Sequence, residues 1–220
     1  MNRKRLGRGL DALLGSDVAF DPMPGGQTTV ATTEVVRGRY QPRQNFDEVR
    51  LNEMAQSIKN HGLIQPIIVR PRPQGGYELI AGERRWRAAR IAGLETMPAV
   101  VQAVTDEQAS AMALIENIQR EDLKPLEEAG ALQRLKEEFG LTQQQVADAV
   151  GKSRVAVTNL LRLLNLEPKV RERLADGSLE MGHARALLPL SPAAQLRAAE
   201  RVATKQLSVR QTEALVRNLL

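Results

Sequence analysis

The sequence predicts an α+β protein in two parts: a small N-terminal α/β domain, then an all-α domain that carries a helix-turn-helix. Three observations support this. Between residues 34 and 123, short apolar runs bounded by Gly and Pro alternate with segments of helical period. After Leu123-Lys124-Pro125 the chain is nearly all of helical period. Within that second part lies LTQQQVADAVGKSRVAVTNLLRLL, from Leu141 to Leu164. Val146, Ala147 and Val150 recur at helical spacing before Gly151, where a positive φ costs little. Ser153 is placed to cap a second helix whose buried stripe is Val157, Leu160, Leu161 and Leu164. Ala147 is small where the two helices must approach. This spacing fits a helix-turn-helix, whose second helix enters the DNA major groove. Its outward residues are Arg154, Ala156, Thr158, Asn159 and Arg162. They suit phosphates and base edges, and Ala156 suits a thymine methyl. An ordinary helical hairpin would share the apolar stripe, but here the turn, the small residue and the polar outer face agree.

Composition narrows the class. At 220 residues the chain can form two modest domains. Its net charge of +5 suits a polyanionic partner, although this alone is a weak argument. With no cysteine there is neither a disulfide framework nor a thiolate metal site. Aromatic residues make up only 3%, too few for a protein that stacks single-stranded bases on exposed rings. No apolar run approaches membrane-spanning length, and the basic N-terminus lacks the apolar core of a signal peptide. The expectation is a soluble, cytoplasmic protein with no membrane partner.

Residues 1–15, MNRKRLGRGLDALLG, place Leu6, Leu10, Leu13 and Leu14 on one side if helical, with Arg3, Lys4, Arg5 and Arg8 nearby. The piece is too short to be a stable helix alone. It reads equally as a peptide that folds onto a partner or as a solubilising tail. Residues 16–33 carry Pro24-Gly25-Gly26 and a Thr-rich run with no sustained period, which predicts a disordered linker. Residues 34–39 read as a strand leading into Tyr40-Gln41-Pro42-Arg43. Asp47 caps a helix to about Asn60 with Leu51, Met54, Ala55 and Ile58 inward, and His61-Gly62 stops it. Ile67–Arg70 and Tyr77–Ile80, joined by Gln74-Gly75-Gly76, form a hairpin. Gly82 opens a helix that ends at Gly93. A strand follows over about Met97–Val104, then a helix capped by Asp106 that runs to Ile118. Residues 34–123 form this first domain and 124–220 the second. In the second, Leu126–Phe139 is a long amphipathic helix ahead of the helix-turn-helix at 141–164. Beyond it, Pro168 and Gly177 punctuate the chain, and helices begin at Met181, Pro192 and, behind a Ser208 cap, Val209.

Three polar clusters in the α/β part offer chemistry. Gly38-Arg39-Tyr40-Gln41-Pro42-Arg43 is the first. Gly82-Glu83-Arg84-Arg85-Trp86-Arg87 follows a strand and opens a helix, where free N–H groups and the helix dipole attract anions. Its arginines match phosphate oxygens. The third holds Glu116 and Asn117, a carboxylate and an amide oxygen of the kind that hold Mg²⁺ beside phosphate. A nucleoside-triphosphate pocket is conceivable, yet contacts to DNA phosphates explain the same arginines, and Glu-Asn pairs at helix ends are commonly caps. His61 and His183 lack a matching ligand set, and no GxSxG nucleophile motif is present.

These clusters and the helix-turn-helix stand in the order found in ParB chromosome-partitioning proteins. The resemblance rests on LGRGLDALLG, YQPR, GLIQPIIVRP, AGERRWRAA, ALIENIQREDLKPLEEA, the Leu141–Leu164 stretch and MGHARALL, and it covers almost the whole chain. It implies a protein that binds a palindromic centromere-like site, parS, as a dimer. CTP with Mg²⁺ in the N-terminal domain would close it into a sliding clamp, and slow CTP hydrolysis would reset it. By motif match Gly82, Glu83, Arg84 and Arg85 hold the triphosphate. Gly62, Leu63, Ile64 and Gln65 line the base pocket, Arg43 and Arg120 lie near the nucleotide, and Glu116 and Asn117 sit at Mg²⁺. Gln41 and Glu83 are the candidates for the hydrolytic step. The DNA-facing set becomes Gln143, Lys152, Ser153, Arg154, Ala156, Thr158, Asn159 and Arg162, with His183 and Arg185. Leu6, Arg8, Leu10, Leu13 and Leu14 would contact the partner ATPase ParA, at the nucleoid. Such proteins usually continue into a C-terminal dimerisation domain. This chain stops at Leu220, so the expectation is nucleotide-dependent pairing of N-terminal halves rather than constitutive dimerisation. The competing reading is a plain DNA-binding adaptor or transcriptional regulator without nucleotide switching.

Overall fold

The computed structural model describes residues 27–38, 47–120 and 123–220. These divide into two units between Gln119 and Arg120. The expectations for Leu6, Arg8, Leu10, Leu13 and Leu14, and for Gln41 and Arg43, lie outside the described residues.

The first unit contains a five-stranded mixed sheet of order β1-β5-β3-β4-β2. Its strands are β1 (Gln27–Ala31), β2 (Val35–Val36), β3 (Ile67–Pro71), β4 (Tyr77–Ala81) and β5 (Thr96–Val101). The strand β1 corrects the predicted linker over part of its length. Thr28, Thr29 and Val30 are β-branched and fit a pleated surface. They pair antiparallel with β5, and Val30 is buried in the core. A 3₁₀ turn over Thr32–Glu34 separates β1 from β2, so within the described part of the strand expected over 34–39 only Val35 and Val36 pair, beside β4. The predicted hairpin is present as the antiparallel pair β3–β4, and β3 also runs parallel to β5.

Helices cover both faces of this sheet. Helix α1 (Glu48–His61) starts at Asp47, whose side chain accepts from the N–H groups of Val49 and Arg50. It ends at Gly62, with φ of 74°. Helix α2 (Glu83–Ile91) brings Trp86 and Ala89 onto Ile67, Val69, Leu79, Met97 and Ala99. Ala88 of the same helix meets Ala55 and Ile58 of α1. Ile67, Val69 and Leu79 are at most 1% exposed, and burial of each such side chain contributes about 1.5–3 kcal/mol. Ile80, on the opposite face, packs on Ala109 and Met112 of α3 (Asp106–Ile118).

The cap of α3 is Thr105, not Asp106. Thr105 accepts from Gln108 N, and the Gln108 side chain accepts from Thr105 N, a reciprocal pair. Asp106 instead meets Arg70 at 2.6 Å, and Glu78 meets Arg70 from β4. Burial opposes the Arg70 charge, but hydrogen bonds and charge from both carboxylates outweigh it and raise its pKa.

The second unit is helical: α4 (Pro125–Glu138), α5 (Gln143–Val150), α6 (Arg154–Arg162), α7 (Pro168–Ala175), α8 (Met181–Leu187), α9 (Pro192–Lys205) and α10 (Val209–Arg217). The stretch between Pro168 and Gly177 is therefore a helix in its own right, with Pro168 in the first turn where no N–H is needed. Among the described residues no helix is long and apolar enough to cross a membrane.

Candidate functional site

Two sites emerge, one per unit. In the first, the turn from β4 into α2 passes through Gly82 at φ of 98°. A Cβ there would meet Ile67 Cγ2 at 3.0 Å. Both the backbone angle and the close approach therefore require glycine. The first N–H groups of α2 follow, without intrahelical partners. Glu83 is 6% exposed. Its Oε1 accepts from Arg87 Nη2 at 2.6 Å and meets Arg37 Nε at 3.0 Å. Its Oε2 is buried with no hydrogen-bond partner among the described residues. Among the described residues the cations therefore meet one oxygen of the carboxylate and not the other.

Arg84 is half-buried. Arg85 turns across the site, and its Nη1 donates to the carbonyls of Pro66 and, at 3.4 Å, Gln65. Burial lowers the Arg85 pKa from the usual arginine value, while the nearby Glu116 carboxylate acts in the opposite sense. The structure therefore brings together three of the predicted segments: the Gly62–Gln65 loop, the start of α2 and the end of α3. In the loop, Leu63 is half-buried against the core and Ile64 is 82% exposed. Glu116 is exposed and Asn117 half-buried. Among the described residues no three acidic or His side chains gather as a metal cluster. Glu116 and Asn117 remain a two-oxygen set, sufficient for Mg²⁺ when phosphates complete its shell. Arg120 is half-buried in the second unit. The sequence reading gives Arg87 to phosphate, where the structure pairs it with Glu83, and does not include Arg37. Arg87 stands one turn away and was findable as a partner of Glu83, whereas Arg37, just after β2, is distant in sequence.

The second site is the helix-turn-helix. Thr142 and Gln145 cap α5 reciprocally. Gly151 makes the turn at φ of 72°. Ser153 Oγ accepts from Ala156 N and caps α6. Val146, Ala147, Val157 and Leu163 are fully buried, as are Ala129, Leu132 and Leu135 of α4. Arg154 and Arg162 are exposed, and Asn159 is half-exposed.

Other predicted DNA residues have internal work. The Thr158 hydroxyl sits between Gln143 Oε1 at 2.8 Å and the Arg154 carbonyl at 2.9 Å, so it tethers α5 to α6. Lys152 Nζ lies 2.7 Å from Glu128 Oε1 of α4. His183 is 9% exposed, and its Nδ1 accepts from Glu180 N. That bond places the ring proton on Nε2, which is buried without a partner among the described residues. His183 therefore caps α8 through one ring nitrogen, while Arg185 of the same helix is exposed. The sequence reading also missed Val155, which is 69% exposed on α6.

A helix-turn-helix with an outward cationic face, preceded by an α/β unit with an arginine-rich helix start, defines a two-domain protein of the helix-turn-helix DNA-binding class. Comparison with known proteins narrows this. The ParB N-terminal domain matches residues 23–118 and the ParB HTH domain matches residues 121–220. A probable chromosome-partitioning protein ParB of Pseudomonas putida is 57% identical over 228 residues, covering 100% of this chain and 78% of that protein. The C-terminally truncated ParB of Caulobacter crescentus, solved in complex with the centromeric parS site, is similar at 41% identity. The match covers 87% of this chain and 99% of that one, with a TM-score of 0.78. The chain belongs to the ParB family of chromosome-partitioning proteins.

Proposed function

We propose that this protein partitions chromosomes as a CTP-operated DNA clamp. It binds a palindromic parS site as a dimer through α6, and CTP with Mg²⁺ closes the N-terminal halves around DNA. Slow CTP hydrolysis reopens them, and residues 1–15 engage a ParA ATPase, in the cytoplasm at the nucleoid. Support for DNA binding comes from the helix-turn-helix geometry and the relative crystallised with parS. The choice of CTP and of ParA rests on the motif resemblance.

The observation that carries the nucleotide reading is the position of Arg85. One of its nitrogens holds the carbonyls of the Gly62–Gln65 loop and Pro66. A guanidinium has five N–H donors, so the others remain for phosphate. Arg85 therefore links the loop expected to read the base with the helix start expected to hold phosphate. Gly82, at φ of 98°, makes the turn from β4 into the helix start. Glu116 and Asn117 would hold Mg²⁺, which offsets phosphate charge. Glu83 Oε2 has no hydrogen-bond partner among the described residues and would orient the attacking water, with Gln41 as its companion. Nucleotide can drive closure only by binding the closed arrangement better than the open one.

Calorimetric titration with the four ribonucleoside triphosphates, with and without a parS duplex, tests this reading. A CTP-specific response strengthened by parS is expected. Binding of parS with no nucleotide response would leave a plain DNA-binding adaptor. Glu83→Gln keeps the shape of the carboxylate, so it should retain CTP binding and lose hydrolysis. Deletion of residues 1–15 should remove stimulation of ParA and spare both other ligands.

A further inference from the structure

We propose that Val155 is a specificity-determining residue that seats a thymine methyl group of the DNA major groove. The inference rests on the DNA-recognition reading above and adds a side chain to it. At roughly 100° per residue, Val155, Asn159 and Arg162 fall within roughly 60° of one another on α6. That stripe lies opposite Val157, Leu160 and Leu161, which are at most 8% exposed. Val155 thus stands at the centre of the outward face, in the first turn of the helix. The N-terminal residues of a recognition helix are the ones that meet base edges.

A valine there does nothing for the chain itself. It buries little area, and a β-branched residue is a poorer helix former than alanine. Its side chain does suit docking. With χ1 restricted, its two methyl groups lose little freedom on contact. In the major groove the one apolar feature of a base pair is the C5 methyl of thymine. Asn159 and Arg162 on the same stripe supply an amide and a guanidinium for the polar edges beside it. Ala156, expected to fill this role, is half-buried and turned toward the flank of the helix, and its N–H is taken by the Ser153 cap.

Fluorescence anisotropy on a parS duplex tests the assignment, with each thymine of the half-site replaced in turn by deoxyuridine and a scrambled duplex as reference. For the unmodified protein, one position should lose about fourfold in affinity per half-site, the effect of one buried methyl. Val155→Ala should weaken binding to the intact site and no longer respond to deoxyuridine at that position. Its melting temperature and its affinity for the scrambled duplex should stay unchanged. Wild-type affinity, or a wild-type deoxyuridine profile, in Val155→Ala overturns the assignment while leaving DNA recognition in place. If the unmodified protein does not prefer parS to the scrambled duplex, DNA recognition falls and the assignment with it.

Discussion

Helices α2 and α6 are both nine residues long, and both carry arginine in the first turn. Their surroundings differ. Helix α2 opens from a left-handed glycine, buries Glu83, and turns Arg85 onto backbone carbonyls. Helix α6 opens from a serine cap and leaves Arg154 and Arg162 in water. A guanidinium that is already partly desolvated and oriented loses less on meeting a small, enclosed anion. Hydrated, mobile guanidinium groups suit a long polyanion, where release of counterions supplies much of the affinity. The same residue type thus serves two kinds of anionic ligand, and burial makes the difference.

The comparison can be broken most sharply at Arg85. Arg85→Ala removes charge-assisted hydrogen bonds worth about 1.5–3 kcal/mol each. CTP affinity measured by titration should fall on the order of 100-fold, while parS affinity holds. Loss of parS binding in this variant would show that the two helices do not serve separate ligands. Next, Arg154→Ala and Arg162→Ala should each weaken parS binding by about 1–3 kcal/mol if the side chain reads a base. A phosphate contact would instead lower affinity for every sequence and reduce the salt slope by about one. Raising salt should weaken DNA binding steeply and nucleotide binding at Arg85 much less, because buried charges are screened less. The smallest effect is expected at Lys152. Its pairing with Glu128 is partly exposed, so a double-mutant cycle of Lys152→Ala with Glu128→Gln should give a coupling of about 0.2–1 kcal/mol in thermal stability. Zero coupling would free Lys152 for phosphate and place it with Arg154.

Much of this was legible where the signal is local. Asp47, Gly62, Gly151 and Ser153 act at helix ends as their side chains or φ preferences predict. The hairpin at Gln74-Gly75-Gly76 follows from turn chemistry and flanking apolar runs. Strand β1 was not legible, because its partner Thr96–Val101 lies some seventy residues on and Gln27–Ala31 alone looks like a loop. Thr105 and Asp106 are adjacent capping residues. The reciprocal Gln108 and the demand of Arg70 for a carboxylate decide between them. In the candidate site, Arg84 and Arg85 could be read from GERR, but the tie from Arg85 to Pro66 depends on how β3 and α2 pack. The part of His183 in capping α8 depends on where its ring turns, which the sequence does not state. Val155 was passed over because a valine in an amphipathic helix is ordinarily core.

Trp86 is the only tryptophan in the sequence, and both tyrosines, Tyr40 and Tyr77, also precede Arg120. The Trp86 ring is buried in the core of the first unit, with Nε1 donating to the Thr32 carbonyl and the Arg90 guanidinium 5.1 Å from the ring centre. Intrinsic emission is therefore an unlabelled optical probe of the first unit, with the helical unit dark. Far-ultraviolet dichroism weights the two in the reverse order, since most of the described helices lie after Arg120. Melting curves from the two signals would coincide if the units unfold as one and separate if they do not. A shift in Trp86 emission on adding nucleotide, with no change in dichroism, would locate the ligand without a crystal.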